Sequence, residues 1–259
     1  MMTDDMKAAA APGDEAHMIA GRLAAVRARI DAACRRAGRD PAGVRLLPIS
    51  KTVPAQRLRA AVAAGISTLG ENKVQEAKGK AEALRDLGVA WSIVGHLQTN
   101  KAKEVARFAA EFQALDSLRV AEALERRLEI EDRTLDVLVQ VNTSGEASKF
   151  GLAPEDVAGF AAGLPAFPRL RVGGLMTLAI FSADETRVRR CFRLLCDIRA
   201  RLRQDGPEGL SFDALSMGMS GDFESAIEEG ATVVRVGQAI FGPRPTSDAD
   251  YWPGAAGTG

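Results

Sequence analysis

The sequence predicts a single (β/α)8 barrel of the TIM type with an extra N-terminal helix, and three observations lead there. Short apolar runs rich in Val, Ile and Leu recur eight times along the chain. None of them shows the strict alternation of a half-exposed antiparallel strand, so they read as strands buried on both faces. Between consecutive runs lie stretches of helical periodicity, and the length of 259 residues suits one barrel. Strands separated by helices give either a closed parallel barrel or an open doubly wound sheet, and the eightfold count favours the barrel.

Taken in order, the chain begins its periodic pattern at Met18. Ile19, Leu23, Val26, Ile30 and Ala33 recur at three- and four-residue steps up to about Ala37, with arginines between them. RLLPIS (45–50) is the first strand, and Pro54 stands at the expected first position of a helix over 54–64. ISTLG (66–70), AWSIVG (90–95), EFQAL (111–115) and DVLVQVN (136–142) follow, with helices over 73–87, 101–110, 117–130 and 154–163. RVGGLMTLA (171–179) precedes the clearest helix, 184–203, where Val188, Cys191, Phe192, Leu195, Ile198 and Leu202 form one stripe. FDALSMG (212–218) leads to a helix from Asp222, and TVVRVG (232–237) is the eighth strand. Only GQAIFG and a Pro- and Gly-rich segment follow it, too little for a full outer helix, so the N-terminal helix is expected to cover that gap. The barrel is assigned to 16–245, with flexible tails at 1–15 and 246–259.

Composition narrows the function classes. Lys plus Arg (34) equals Asp plus Glu (34), so the overall field points to neither nucleic acid nor an anionic membrane. The three cysteines, Cys34, Cys191 and Cys196, form no C-x-x-C pair and read as small core residues. The first residues carry acids where a signal peptide carries basic and then apolar residues, and no apolar run is long enough to span a bilayer. A reducing cytoplasm is the expected compartment, and a monomer the expected state.

In a barrel of this type the functional face lies at the carboxyl ends of the strands. Lys51 directly follows the first apolar run, so its amine is expected at the rim over a low-dielectric interior. Desolvation there disfavours the ammonium form, which suits Schiff-base chemistry with an aldehyde. Strand 7 runs into SMGMSGDFES (216–225) and strand 8 into VRVGQAIFG (234–242), both Gly- or Ser-bearing turns opening onto helix starts. Backbone N–H groups and a hydroxyl at such turns bind phosphate, although Ser220 is also placed to cap the helix from Asp222. Closure makes strand 8 the neighbour of strand 1. A lysine beside a phosphate cradle describes a phosphorylated aldehyde, and pyridoxal 5′-phosphate is the commonest cofactor of that kind. His96 has no partner at metal-ligand spacing, and no metal site is expected. Lys149, in the polar loop 142–151, reads as an exposed lysine.

At these residues the sequence resembles the pyridoxal phosphate homeostasis protein family, itself similar to the N-terminal barrel domain of alanine racemase. PISKT, GENKVQE, GHLQTNK, VNTSGEASKFG, GLM, LSMGMSGD and VRVGQAIFG carry the resemblance, in that order, across nearly the whole chain. It implies that Lys51 carries the Schiff base, that Asn72 lies close to the cofactor ring, and that Ser220, Gly237 and Gln238 hold the phosphate. It implies that Arg235 faces the pyridine nitrogen, and that the protein stores or delivers the cofactor in vitamin B6 homeostasis, with cofactor-dependent apoenzymes as recipients. Val53 departs from relatives that carry a second lysine there, and Lys73 from those with a tyrosine.

No dedicated catalysis and no catalytic residue are expected. A cationic Arg235 beside the pyridine nitrogen discourages its protonation and leaves the ring a poor electron sink. Alanine racemase adds a β domain and a tyrosine base, whereas the only tyrosine here is Tyr251. The rivals are an amino-acid racemase or decarboxylase, which needs a second positioned acid or base, and an aldolase-like enzyme using Lys51 without cofactor.

Overall fold

The structure, a computed structural model, describes residues 12–243. Eight strands, β1 (Arg45–Pro48), β2 (Thr68–Glu71), β3 (Ala90–Ile93), β4 (Glu111–Leu115), β5 (Leu135–Gln140), β6 (Leu170–Met176), β7 (Ala214–Ser216) and β8 (Val233–Val236), form one sheet. Every pairing in it is parallel, and the order β1-β8-β7-β6-β5-β4-β3-β2 follows the chain around. The seam between β1 and β2 is joined by a parallel bridge from Ile49 to Gly70 and by the Ser50 N–H, 2.9 Å from the Gly70 carbonyl. Gly70 leaves room there for the Ile49 side chain, whose Cδ1 would lie 2.4 Å from a Cβ at that position. The barrel is therefore the expected (β/α)8 form rather than an open sheet.

Outside it run α1 (Pro12–Arg36), α2 (Ala55–Ala63), α3 (Val74–Ala83), α4 (Ala102–Phe108), α5 (Leu118–Ile130), α6 (Val157–Gly163), α7 (Glu185–Asp205), α8 (Phe223–Glu228) and the short α9 (Gln238–Phe241). Their starts have local causes. Ser117 accepts the Val120 N–H at the head of α5, and Asp184 accepts the Thr186 N–H at the head of α7. Pro54 sits one residue outside α2, its extended backbone setting the entry and its carbonyl accepting from Arg57 and Leu58. Helix α1 packs against α2, α8 and α9 and buries Ile19, Leu23, Val26 and Ile30, which fills the place left by the missing eighth outer helix.

Helix α1 begins at Pro12, earlier than the apolar periodicity indicates. Its first turn carries Asp14 and Glu15, acids that suit a helix N-terminus, and Glu15 pairs with Arg57 of α2. Residues 12–15, assigned by sequence to a tail, are thus helical; the remainder of both expected tails, and Tyr251, lie outside the described residues. Among the described residues no helix is long and apolar enough to cross a membrane.

Candidate functional site

The carboxyl ends of β1, β2, β7 and β8 bring the expected residues to one rim. Lys51 follows the seam residues Ile49 and Ser50 and is only 7% exposed. Leu47 pairs with Arg235 and Pro48 with Val236, so the residues after β8 lie beside those before Lys51. A Cβ on Gly237 would stand 3.0 Å from the Ile49 carbonyl oxygen, and Lys51, Gly237 and Gln238 line one small pocket. The Gly237 N–H donates to Ser220 Oγ at 3.4 Å, which joins the turn after β7 to the turn after β8.

Ser220 does not cap α8. Asp222 stands at that cap position, and its carboxylate accepts the Met219 N–H at 2.6 Å. The hydroxyl is left facing Gly237. Gly218 makes the turn possible, since it has φ +91° and a Cβ there would lie 2.8 Å from Phe223 Cα. Burial pushes the Asp222 carboxyl up, and the positive charge of Arg235 opposes that shift.

Arg235 points into the barrel and is 3% exposed. Its Nη1 donates to Ser216 Oγ and its Nη2 to the Thr177 carbonyl, both at 2.7 Å. Burial brings the guanidinium down to about 10, with Asp222 opposing, so it stays cationic at neutral pH. The Ser216 hydroxyl in turn donates a hydrogen bond to Gln113 Oε1 at 2.7 Å, and Gln113 Nε2 donates to Glu111 at 2.8 Å. Sequence reasoning missed this buried chain. Its signal was a polar residue inside an otherwise apolar strand, as in EFQAL and DALSMG.

Asn72 is half-buried at the end of β2, on the loop next to Lys51, and Lys73 is exposed beside it at the head of α3. Lys149 corrects its expected exposure. Its side chain is 10% exposed, donates to the Ala179 carbonyl at 2.8 Å and pairs with Glu146. That contact ties the loop after β5 to the segment after β6. His96 stacks on Phe150 with centroids 3.9 Å apart, and its Nδ1 lies 3.6 Å from Asp116. Among the described residues no group of three His, Cys, Asp or Glu is placed to hold a metal ion. Also missed was an ionic cluster of buried Glu71 and Lys80 with half-buried Glu76, which contacts the Lys51 turn at the Ser50 carbonyl and the Thr52 N–H.

Comparison with known proteins places the chain in a family and agrees with its fold. The family described as alanine racemase, N-terminal domain, matches residues 22–245. A pyridoxal phosphate homeostasis protein of Pseudomonas aeruginosa is 43% identical over 226 residues, covering 87% of this chain and 96% of the relative. The structure of PipY from Synechococcus elongatus with PLP bound superimposes with a TM-score of 0.77 at 34% identity, covering 86% of this chain and all of that one. Alanine racemase from Streptomyces lavendulae, at 20% identity and a TM-score of 0.64, shares the barrel fold over 58% of its own length. The chain belongs to the pyridoxal phosphate homeostasis protein family, built on the alanine racemase N-terminal domain.

Proposed function

We propose that this protein binds pyridoxal 5′-phosphate as a Schiff base on Lys51 and takes part in cofactor homeostasis in the cytoplasm, holding the cofactor and handing it to apoenzymes as a monomer. The observation that carries the reading is the convergence of a nearly buried lysine with a Ser220–Gly237 turn on one rim. The bond from Gly237 N–H to Ser220 Oγ is long at 3.4 Å, so a phosphate that accepts from both groups gains more than the pair loses. Gln238, exposed at the same turn, adds a third donor, and Asn72 flanks the ring from the β2 side.

When bound, the cofactor supplies a ring that withdraws electrons once its nitrogen is protonated. Arg235 opposes that protonation by like charge and by offering N–H donors to the nitrogen lone pair. With Ser216 and Thr177 holding two of its N–H groups, the guanidinium keeps a fixed orientation. Relatives are named for homeostasis of the cofactor rather than for a reaction, in keeping with a carrier role. The test is a visible absorption spectrum of the full chain mixed with pyridoxal 5′-phosphate. The wild type gives the coloured covalent adduct, whereas Lys51→Ala gives only free cofactor and retains a cooperative thermal transition. An equally coloured Lys51→Ala protein overturns the assignment.

A further inference from the structure

Lys51 occupies the second position of a four-residue turn closed by the Val53 N–H, 2.9 Å from the Ser50 carbonyl. The third position, Thr52, has φ +64°, a conformation that strains a β-branched residue. Something must hold this turn, and the ionic cluster beneath it touches the peptide units on both sides of Lys51. Lys80 Nζ donates to the Ser50 carbonyl at 2.7 Å, to Glu71 Oε1 at 2.5 Å and to Glu76 Oε1 at 2.6 Å. Glu76 Oε1 also accepts the Thr52 N–H at 2.8 Å, and Glu71 Oε1 accepts from the Ser50 hydroxyl at 2.7 Å.

Stability alone does not call for such a cluster. Glu71 is fully buried and the Lys80 side chain is 9% exposed. Replacing a buried ion pair with apolar side chains is often neutral or stabilising, because desolvation offsets the attraction. The Oε2 atom of Glu71 is buried without a hydrogen-bond partner, a further penalty. Burial accordingly raises the Glu71 carboxyl, with Lys80 opposing. What the cluster does achieve is geometric: it fixes the backbone before and after one lysine.

We propose that Lys80, with Glu71 and Glu76, is a positioning group for Lys51, clamping the strained turn so that the Lys51 amine meets an aldehyde held in the Ser220–Gly237 cradle. This rests on the reading of Lys51 as the cofactor-bearing residue. A clamp of this kind acts on the covalent step and leaves the cradle untouched. It therefore separates two ligands that share ring and phosphate, pyridoxal 5′-phosphate and pyridoxine 5′-phosphate, which has an alcohol in place of the aldehyde and forms no bond to an amine.

The experiment measures binding of both ligands to wild type, Glu76→Gln, Lys80→Met and Glu76→Gln/Thr52→Gly. Glu76→Gln and Lys80→Met are expected to weaken the aldehyde about tenfold or more, since small misplacements of a reacting group are costly, and to leave the alcohol unchanged. Thr52→Gly in the Glu76→Gln background restores most of the loss, because glycine adopts positive φ without strain. Glu76→Gln is nearly isosteric and carries the test if Lys80→Met does not fold. Equal loss of both ligands, or no loss of either, overturns the clamp. Borohydride labelling of wild type at a residue other than Lys51 instead overturns the cofactor assignment on which the clamp stands.

Discussion

At the scale of single residues, each side chain of the candidate site has a separable task, and two substitutions isolate them. Ser220→Ala removes one hydroxyl donor from the phosphate cradle while the backbone amides of Gly237 and Gln238 remain. A hydrogen bond to a charged group contributes about 1.5–3 kcal/mol, so the cofactor is expected to dissociate roughly tenfold to a hundredfold more readily with its colour retained. Dialysis against phosphate that strips wild type and variant equally would place Ser220 outside the cradle. Arg235→Gln removes a buried cation and keeps a donor. Loss of that positive charge favours the protonated pyridine, so the nitrogen titrates at higher pH, by about one unit or more. The absorbance of the bound cofactor against pH reads this directly, and an unchanged curve would make Arg235 a wall residue without electronic influence. Lys51 stood out in sequence because it ends an apolar run, whereas Arg235 was given a role only through the family resemblance. Lys80 and Lys149 were not, since a lysine's burial depends on partners distant in sequence: Lys80 reaches the Ser50 carbonyl and Lys149 the Ala179 carbonyl.

Elements were easier to read than their ends. Parallel barrel strands are buried on both faces and appear as continuous apolar runs, which is why all eight were found in order. Apolar character does not mark where a ladder stops. RVGGLMTLA continues to Ala179, but β6 ends at Met176, and Thr177 turns its hydroxyl to the Val141 carbonyl at 2.7 Å. The opening turn of α1 lacked the apolar stripe that identified the rest of that helix. Its body is expected to act as the eighth outer helix rather than as an appendage. Leu23 is 2% exposed, so Leu23→Ala should destabilise the whole barrel by about 2–5 kcal/mol in a urea melt. A loss below about 0.5 kcal/mol, within the range of surface substitutions, would show that α1 is dispensable.

For the whole molecule, a balanced charge leaves recognition to local features, and the rim between β8 and β1 is where those features gather. On the proposed reading, in which Lys51 and the turns after β7 and β8 hold the cofactor and Arg235 faces its ring nitrogen, the barrel suits custody of the cofactor better than carbanion chemistry. The loaded protein is accordingly expected to show no exchange of amino-acid α-protons with deuterated water above that of free cofactor, followed by NMR across a panel of amino acids. Exchange at enzymatic rates would mark a racemase-like activity. The most direct test of the central claim is the covalent address of the cofactor: reduce the loaded wild-type protein with borohydride, digest it, and locate the pyridoxyl group by mass spectrometry. The account predicts a single label on Lys51; a label on Lys149, Lys101 or Lys80, or none at all, would contradict it.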